Sequence, residues 1–206
     1  MKINKYYLLL LLPIFFNACD NYKKVSLNDE YKNGISIDKL VELKGHDKIV
    51  ATIETSMGSI QIELFSHDAP LAVKNFVGLA VEGYYNNLIF HRVIKGFMIQ
   101  TGDSLGTGEG GRSIYGKEFV DEFSPSLNFN EPGVVAMANK GPASNLSQFF
   151  ITTAPAPYLN KNYTIFGKVI DGMDVVTKIG SVKTNRAGLP DEKVIMQKVT
   201  VEKRVY

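Results

Sequence analysis

The chain has 206 residues, enough for one domain of ordinary size with additional segments. Lys and Arg exceed Asp and Glu by only 23 to 21, so no general electrostatic attraction to nucleic acid exists and no such partner is expected. A single cysteine excludes an internal disulfide, and three scattered histidines without ligand spacing lead us to expect no metal site.

Residues 1–18 read as a targeting segment. Lys2 and Lys5 precede a continuous apolar run from Tyr6 to Phe16, interrupted at Pro13. Such a run is too short for a spanning helix, which needs about 20 apolar residues, and it suits the apolar region of a signal peptide. Ala18 stands directly before the lone Cys19. The segment resembles a bacterial lipoprotein signal, with Phe16 and Asn17 departing from its usual pattern. That resemblance implies lipidation of Cys19, a membrane partner through the N-terminal lipid, and a place in the bacterial cell envelope. An ordinary secretory signal and an uncleaved anchor are the alternatives. Residues 19–47 are rich in Asn, Asp and Lys and lack sustained apolar periodicity, so they read as a flexible tether. A coil of that length spans about 30 Å, and a short helix near Ile37–Leu43 is compatible with it.

Residues 48–206 form the expected body. Ile49, Ala51 and Ile53, then Ile60, Ile62 and Leu64, alternate with polar residues around Ser56-Met57-Gly58, which predicts a hairpin. A helix follows, with Asp68 as N-cap and Val73, Phe76, Val77 and Ala80 at helical spacing before Gly83. From Tyr84 to Gly167 short apolar runs alternate with Gly-, Pro- and Asn-rich turns, an all-β pattern. A second helix is predicted over Asp171–Ile179 and a last strand over Val194–Val201.

FHRVIKGFMIQTGD (Phe90–Asp103), GEGGRSIYGKEFVDEF (Gly108–Phe123) and the stretch from Gly133 to Val176 carry a resemblance covering the body from Lys48 onward. They resemble the cyclophilin-type peptidyl-prolyl cis–trans isomerases. The fold this implies is mainly β: a closed eight-stranded antiparallel β-barrel capped by two α-helices. The implied reaction is rotation about Xaa–Pro bonds in exported polypeptides, and proline-containing polypeptides are the expected partners of a monomer. Amide resonance sets a rotation barrier of about 18–20 kcal/mol. Rotation makes and cuts no bond, so neither cofactor nor metal is expected. A pocket for the ring and one well-placed donor suffice, and lowering the barrier by about 7 kcal/mol accelerates rotation roughly 10⁵-fold.

By resemblance, Arg92 matches the catalytic arginine, a permanent cation with a rigid fork of donors. Phe97, Met98, Phe150 and Leu159 match the apolar proline pocket. Gln100, Asn139 and Gln148 match the polar positions that hold substrate backbone, and Ala138 leaves room for an extended peptide. Lys140 stands where many relatives carry a small residue. Tyr158 replaces a common Trp and Tyr163 a common His; without the indole N–H, weak cyclosporin binding is expected. His91 is expected to form buried hydrogen bonds. Gly106, Gly108 and Gly111 formally match a dinucleotide fingerprint, but no helix opens there, so a loop close to the groove is the better reading. A non-catalytic chaperone or adhesin that captures proline segments is the alternative function; the presence of Arg92 favours the enzyme.

Overall fold

The computed structural model describes residues 21–206. The expected signal segment 1–18 and the expected lipidation site Cys19 lie outside the described residues. Among the described residues no helix is long and apolar enough to cross a membrane.

The stretch expected as a flexible tether is instead folded from residue 23 onward. It forms strand β1 (Lys23–Ser26), helix α1 (Leu27–Lys32) and helix α2 (Ile37–Leu40). Strand β1 pairs antiparallel with the C-terminal strand Ile195–Val205, from Lys23 opposite Val205 to Ser26 opposite Glu202. Leu27 and Leu40 are buried in the main core, and Asn28 Oδ1 accepts from the Val201 amide at 2.8 Å. These elements are too short to hold themselves, since isolated helices below about 12 residues are marginal in water. Their stability comes from the sheet edge and core beneath them, which composition alone does not reveal.

Strands β2 (Lys48–Thr55) and β3 (Gly58–Leu64) form the predicted hairpin. Ile49 faces Leu64, Ala51 faces Ile62 and Ile53 faces Ile60; all six are buried, so the period-two alternation becomes one apolar face. Gly58 lies at φ +133°, and a Cβ there would stand 2.7 Å from Val175 Cγ2, so the turn requires glycine both for conformation and for space.

Helix α3 (Pro70–Val81) follows. Asp68 does not cap it. Its Oδ1 accepts from Ser124 Oγ at 2.5 Å and Ser126 Oγ at 2.9 Å. The first-turn amides of Leu71 and Ala72 donate instead to the two carboxylate oxygens of Glu122, each at 2.9 Å. A carboxylate fifty residues away thus satisfies donors that the helix itself cannot. Burial raises the Glu122 pKa above its ordinary value, against the two amides that pull it down.

The remaining strands are β4 (Leu88–Ile89), β5 (Arg92–Ile94), β6 (Met98–Thr101), β7 (Val134–Met137), β8 (Phe149–Thr152), β9 (Ile165–Asp171) and β10 (Ile195–Val205), with helix α4 (Met173–Ile179) after β9. All pairings are antiparallel, in the order β1-β10-β2-β3-β9-β7-β8-β6-β5, with β4 also on β10. The expected closed ladder is not formed, because β5 and β10 share no backbone pairing. At the seam β4 pairs with β10 and β5 with β6; the Phe90 amide still donates to the Val194 carbonyl at 3.0 Å, and the chain then passes through His91 to β5 without a ladder between β5 and β10. Taking Leu88–Ile94 as one bent strand and setting β1 aside recovers the expected eight. Phe76 of α3 packs on Tyr85, Phe149 and Phe166, with ring centroids 5.0, 5.5 and 5.5 Å away. That aromatic cluster anchors the helix on the main core.

Candidate active site

Across β5, β6, β8 and β7 the register sets Arg92 opposite Gln100, Gln100 opposite Phe150 and Phe150 opposite Ala136. The adjacent row is Val93, Ile99, Ile151 and Val135. Successive residues of a strand face opposite sides, and the second row is buried in the main core. The first row therefore stands on the outer face. There Met98, Phe150 and Leu159 join a second, smaller apolar cluster, with Phe97, Ala138 and Tyr163 packed against it.

Over this cluster lies a groove of about 590 Å³ lined by Arg92, Phe97, Met98, Gln100, Ala138, Asn139, Phe150, Leu159 and Tyr163. Nine of the eleven residues singled out from sequence thus meet at one place. The floor is apolar: Tyr163 meets Phe150 edge-on, ring centroids 5.3 Å apart. Gln148 and Tyr158 do not line the groove. Tyr158 is 66% exposed and flanks Phe97 at the rim, ring centroids 5.9 Å apart. Gln148 is buried behind Gln100.

Polar groups organise the rim in series. Arg92 Nη1 donates to Gln100 Oε1 at 3.3 Å, and Gln100 Nε2 donates to Gln148 Oε1 at 2.9 Å. Gln148 Nε2 then donates to the carbonyls of Gly108 and Gly110, at 2.9 and 2.7 Å. Those glycines belong to a loop wound around Asp103. Its Oδ1 accepts from Leu105 N at 2.8 Å, and its Oδ2 from Thr107 N and Gly108 N at 2.8 and 2.6 Å. Burial alone would raise the Asp103 pKa, but the backbone donors of Leu105, Gly108, Thr107 and Gly110 together hold it below the ordinary carboxylate value. A Cβ on Gly110 would stand 2.0 Å from Asp103 Oδ1. Of the glycines that mimic a nucleotide fingerprint, Gly106 and Gly108 thus belong to a loop wrapped on its own aspartate and line the groove, while a Cβ on Gly111 would stand 2.9 Å from Ser147 Oγ.

Two expectations differ in detail. The side chain of Asn139 is committed locally, its Nδ2 donating to the Asn162 carbonyl at 3.0 Å and its Oδ1 accepting from Gly141 N at 3.3 Å. His91 is buried and lines the groove, yet among the described residues neither ring nitrogen has a hydrogen-bond partner. The Gln148 side chain lies against the ring without reaching full hydrogen-bond geometry, and burial lowers the imidazole pKa against the opposing pull of Asp103 and Gln148, which keeps the ring neutral at pH 7.

The sequence reading missed Asn185, Ala187 and Leu189, which line the side of the groove near Arg92. Asn185 Oδ1 accepts from the amides of Ala187 and Leu189 at 2.9 and 3.1 Å. The Gly188 carbonyl receives the Val93 amide at 2.7 Å, which fixes this loop to β5. Asn185 to Gly188 reads as a turn in sequence. Its approach to Arg92 is a tertiary fact.

Comparisons with known proteins agree with this geometry. Residues 50–201 match the family described as cyclophilin type peptidyl-prolyl cis-trans isomerase. The chain is 54% identical over 151 residues to peptidyl-prolyl cis-trans isomerase-like 1 of Aspergillus fumigatus, covering 72% of this chain and 94% of that one. The human protein of the same name is 53% identical over 145 residues, covering 69% of this chain and 87% of its own. A crystal structure of a Cryptosporidium parvum cyclophilin type peptidyl-prolyl cis-trans isomerase superimposes with a TM-score of 0.73 at 43% identity, covering 75% of this chain and 97% of that one. A second structure of that protein, in the presence of the dipeptide Ala-Pro, gives 0.72 at the same identity, covering 74% and 98%. An outer-face groove with a cation at its rim and an apolar floor, in a chain whose residues 50–201 match the family and which covers most of the length of the relatives named above, places the chain in the cyclophilin-type peptidyl-prolyl cis–trans isomerase family.

Proposed function

We propose that the groove holds an extended Xaa–Pro segment, with the proline ring on Phe97, Met98, Phe150 and Leu159 and the guanidinium of Arg92 at the rotating bond. As the bond twists, resonance is lost and the prolyl nitrogen regains its lone pair; a fixed cationic donor stabilises that state more than the planar one. The observation that carries the reading is the row Arg92–Gln100–Phe150, which sets a polarised donor at the edge of an apolar floor. One chain solved with the dipeptide Ala-Pro adds support. Titrating the protein with an Ala-Pro peptide tests it by NMR. Backbone shifts should cluster at Arg92, Gln100, Ala138 and Phe150; shifts confined to another face would refute it.

We further propose that the enzyme acts on exported polypeptides as the lipoprotein form implied by residues 1–19, anchored at Cys19 to a membrane of a bacterial envelope. Its support is the order of a basic end, an apolar run and a small residue before the lone cysteine. Since β1 begins at Lys23, only three residues separate Cys19 from the folded body, a reach of about 14 Å at full extension. Incorporation of an acyl-chain probe, lost in Cys19→Ala, tests the anchor; equal labelling of both proteins would refute it.

A further inference from the structure

Beside the groove, a second cavity of about 190 Å³ is lined by Phe123, Leu127, Ile165, Tyr163, Lys161 and Glu122, among others. Tyr163 belongs to both cavities and forms their common wall. The same outer apolar cluster lies beneath both, because Leu127 and Ile165 pack with Phe150 and Leu159. Phe123 is 51% exposed at the mouth, so its ring is open to contact by a ligand side chain.

The charges around this cavity are unequal. Both carboxylate oxygens of Glu122 are held by the first-turn amides of α3. Lys161 sits at φ +62°, and among the described residues its ammonium has no ion pair or hydrogen bond. The cavity therefore offers an apolar wall, an exposed ring and one uncommitted cation.

We propose that this cavity is a second subsite for the polypeptide in the groove. It receives a bulky apolar side chain about three residues from the proline, with Lys161 meeting an acidic neighbour. The spacing follows from the single ring between the cavities, a width that about three residues of extended chain at 3.3 Å each readily span. The proposal rests on the groove being the substrate site. It adds selectivity for sequence around the proline, which a short peptide cannot reveal.

The test compares the full chain, Phe123→Ser and Lys161→Ala on a short Ala-Ala-Pro-Ala peptide and on longer peptides carrying Phe-Glu, Phe-Ala or Ala-Ala three residues before or three residues after the proline. With the native chain, one longer peptide should gain about tenfold in kcat/KM over its Ala-Ala counterpart, the size of effect that burying an aromatic side chain supports. Phe123→Ser should remove that gain and leave the short-peptide rate and the melting temperature unchanged. Lys161→Ala should lose part of the gain only when Glu accompanies Phe. If neither longer peptide gains, or if the gain survives Phe123→Ser, the subsite is wrong while the groove stands. If the short peptide itself is not accelerated, the groove reading fails and takes the subsite with it.

Discussion

Arg92 and Gln100 face one another across the β5–β6 ladder, and Arg92 Nη1 donates to Gln100 Oε1 at 3.3 Å. Gln100 in turn donates to Gln148, which holds the carbonyls of Gly108 and Gly110. The guanidinium is therefore oriented by a series of neutral amides that ends in the loop around Asp103. A flexible side chain at the rim gains a preferred direction without losing its charge.

Gln148→Leu keeps much of the shape and breaks the series at its centre. It should lower kcat about tenfold, the value of one or two hydrogen bonds, and change KM little, because Gln148 does not line the groove. Progress curves on a proline peptide measure the split. A change confined to KM would mean that Gln148 serves binding rather than orientation.

Asp103 predicts acid sensitivity. Its folded pKa lies below its ordinary value, so its stabilising effect is complete above the unfolded value near pH 4 and is lost as the pH falls through the lower folded value. Asp103→Asn should forfeit that effect already at pH 7, costing about 2 kcal/mol and roughly 5 °C in Tm. Melting curves from pH 7 to pH 2 should therefore converge for the two proteins at the acid end; parallel curves would contradict the assignment. Glu122 runs the other way. Its pKa is raised, so its contribution is complete below the unfolded value near pH 4 and declines as the pH rises through the higher folded value.

The N-terminal elements should contribute to stability. Leu40 is buried where α2 meets the core, so Leu40→Ala should cost about 2–3 kcal/mol and several degrees in Tm. Removing residues 21–47 should lower Tm further and bare the edge of β10. An unchanged Tm in both proteins would show that the segment rests on the sheet without stabilising it.

Tyr158 is exposed at the groove rim beside Phe97. Tyr158→Trp supplies an indole N–H and should strengthen cyclosporin binding about tenfold, leaving isomerisation nearly unchanged. Fluorescence titration of the new Trp reads the affinity directly. No gain would show that the weak binding expected of this chain has another source.

The legible parts of the fold were those with local periodicity. The β2–β3 hairpin could be read because Ile49 to Ile53 and Ile60 to Leu64 alternate strictly, and α3 because Val73, Phe76, Val77 and Ala80 recur at helical spacing. The cap on α3 could not be read, because its partner Glu122 is about fifty residues away and Asp68 has the better local credentials. Residues 23–32 were hidden for a similar reason, since Leu27 stands alone in a charged stretch and gains meaning only from the core it enters, whereas α2 falls within the short helix allowed near Ile37–Leu43. Site residues were legible through long motifs at matched spacing. Asn185 and Leu189 have no motif and join the groove through the contact of Gly188 with Val93.

The most direct measurement is the rate of cis–trans isomerisation of a short Ala-Pro-Phe peptide by the full chain beside Arg92→Ala. Arg92 is exposed and outside both apolar clusters, so the variant should fold. The native chain should accelerate rotation strongly, and Arg92→Ala should lose about a hundredfold in kcat/KM, as removal of one transition-state donor does elsewhere. Equal rates for the two proteins would contradict the central role given to Arg92, and a native chain no faster than the uncatalysed reaction would contradict catalysis in this groove.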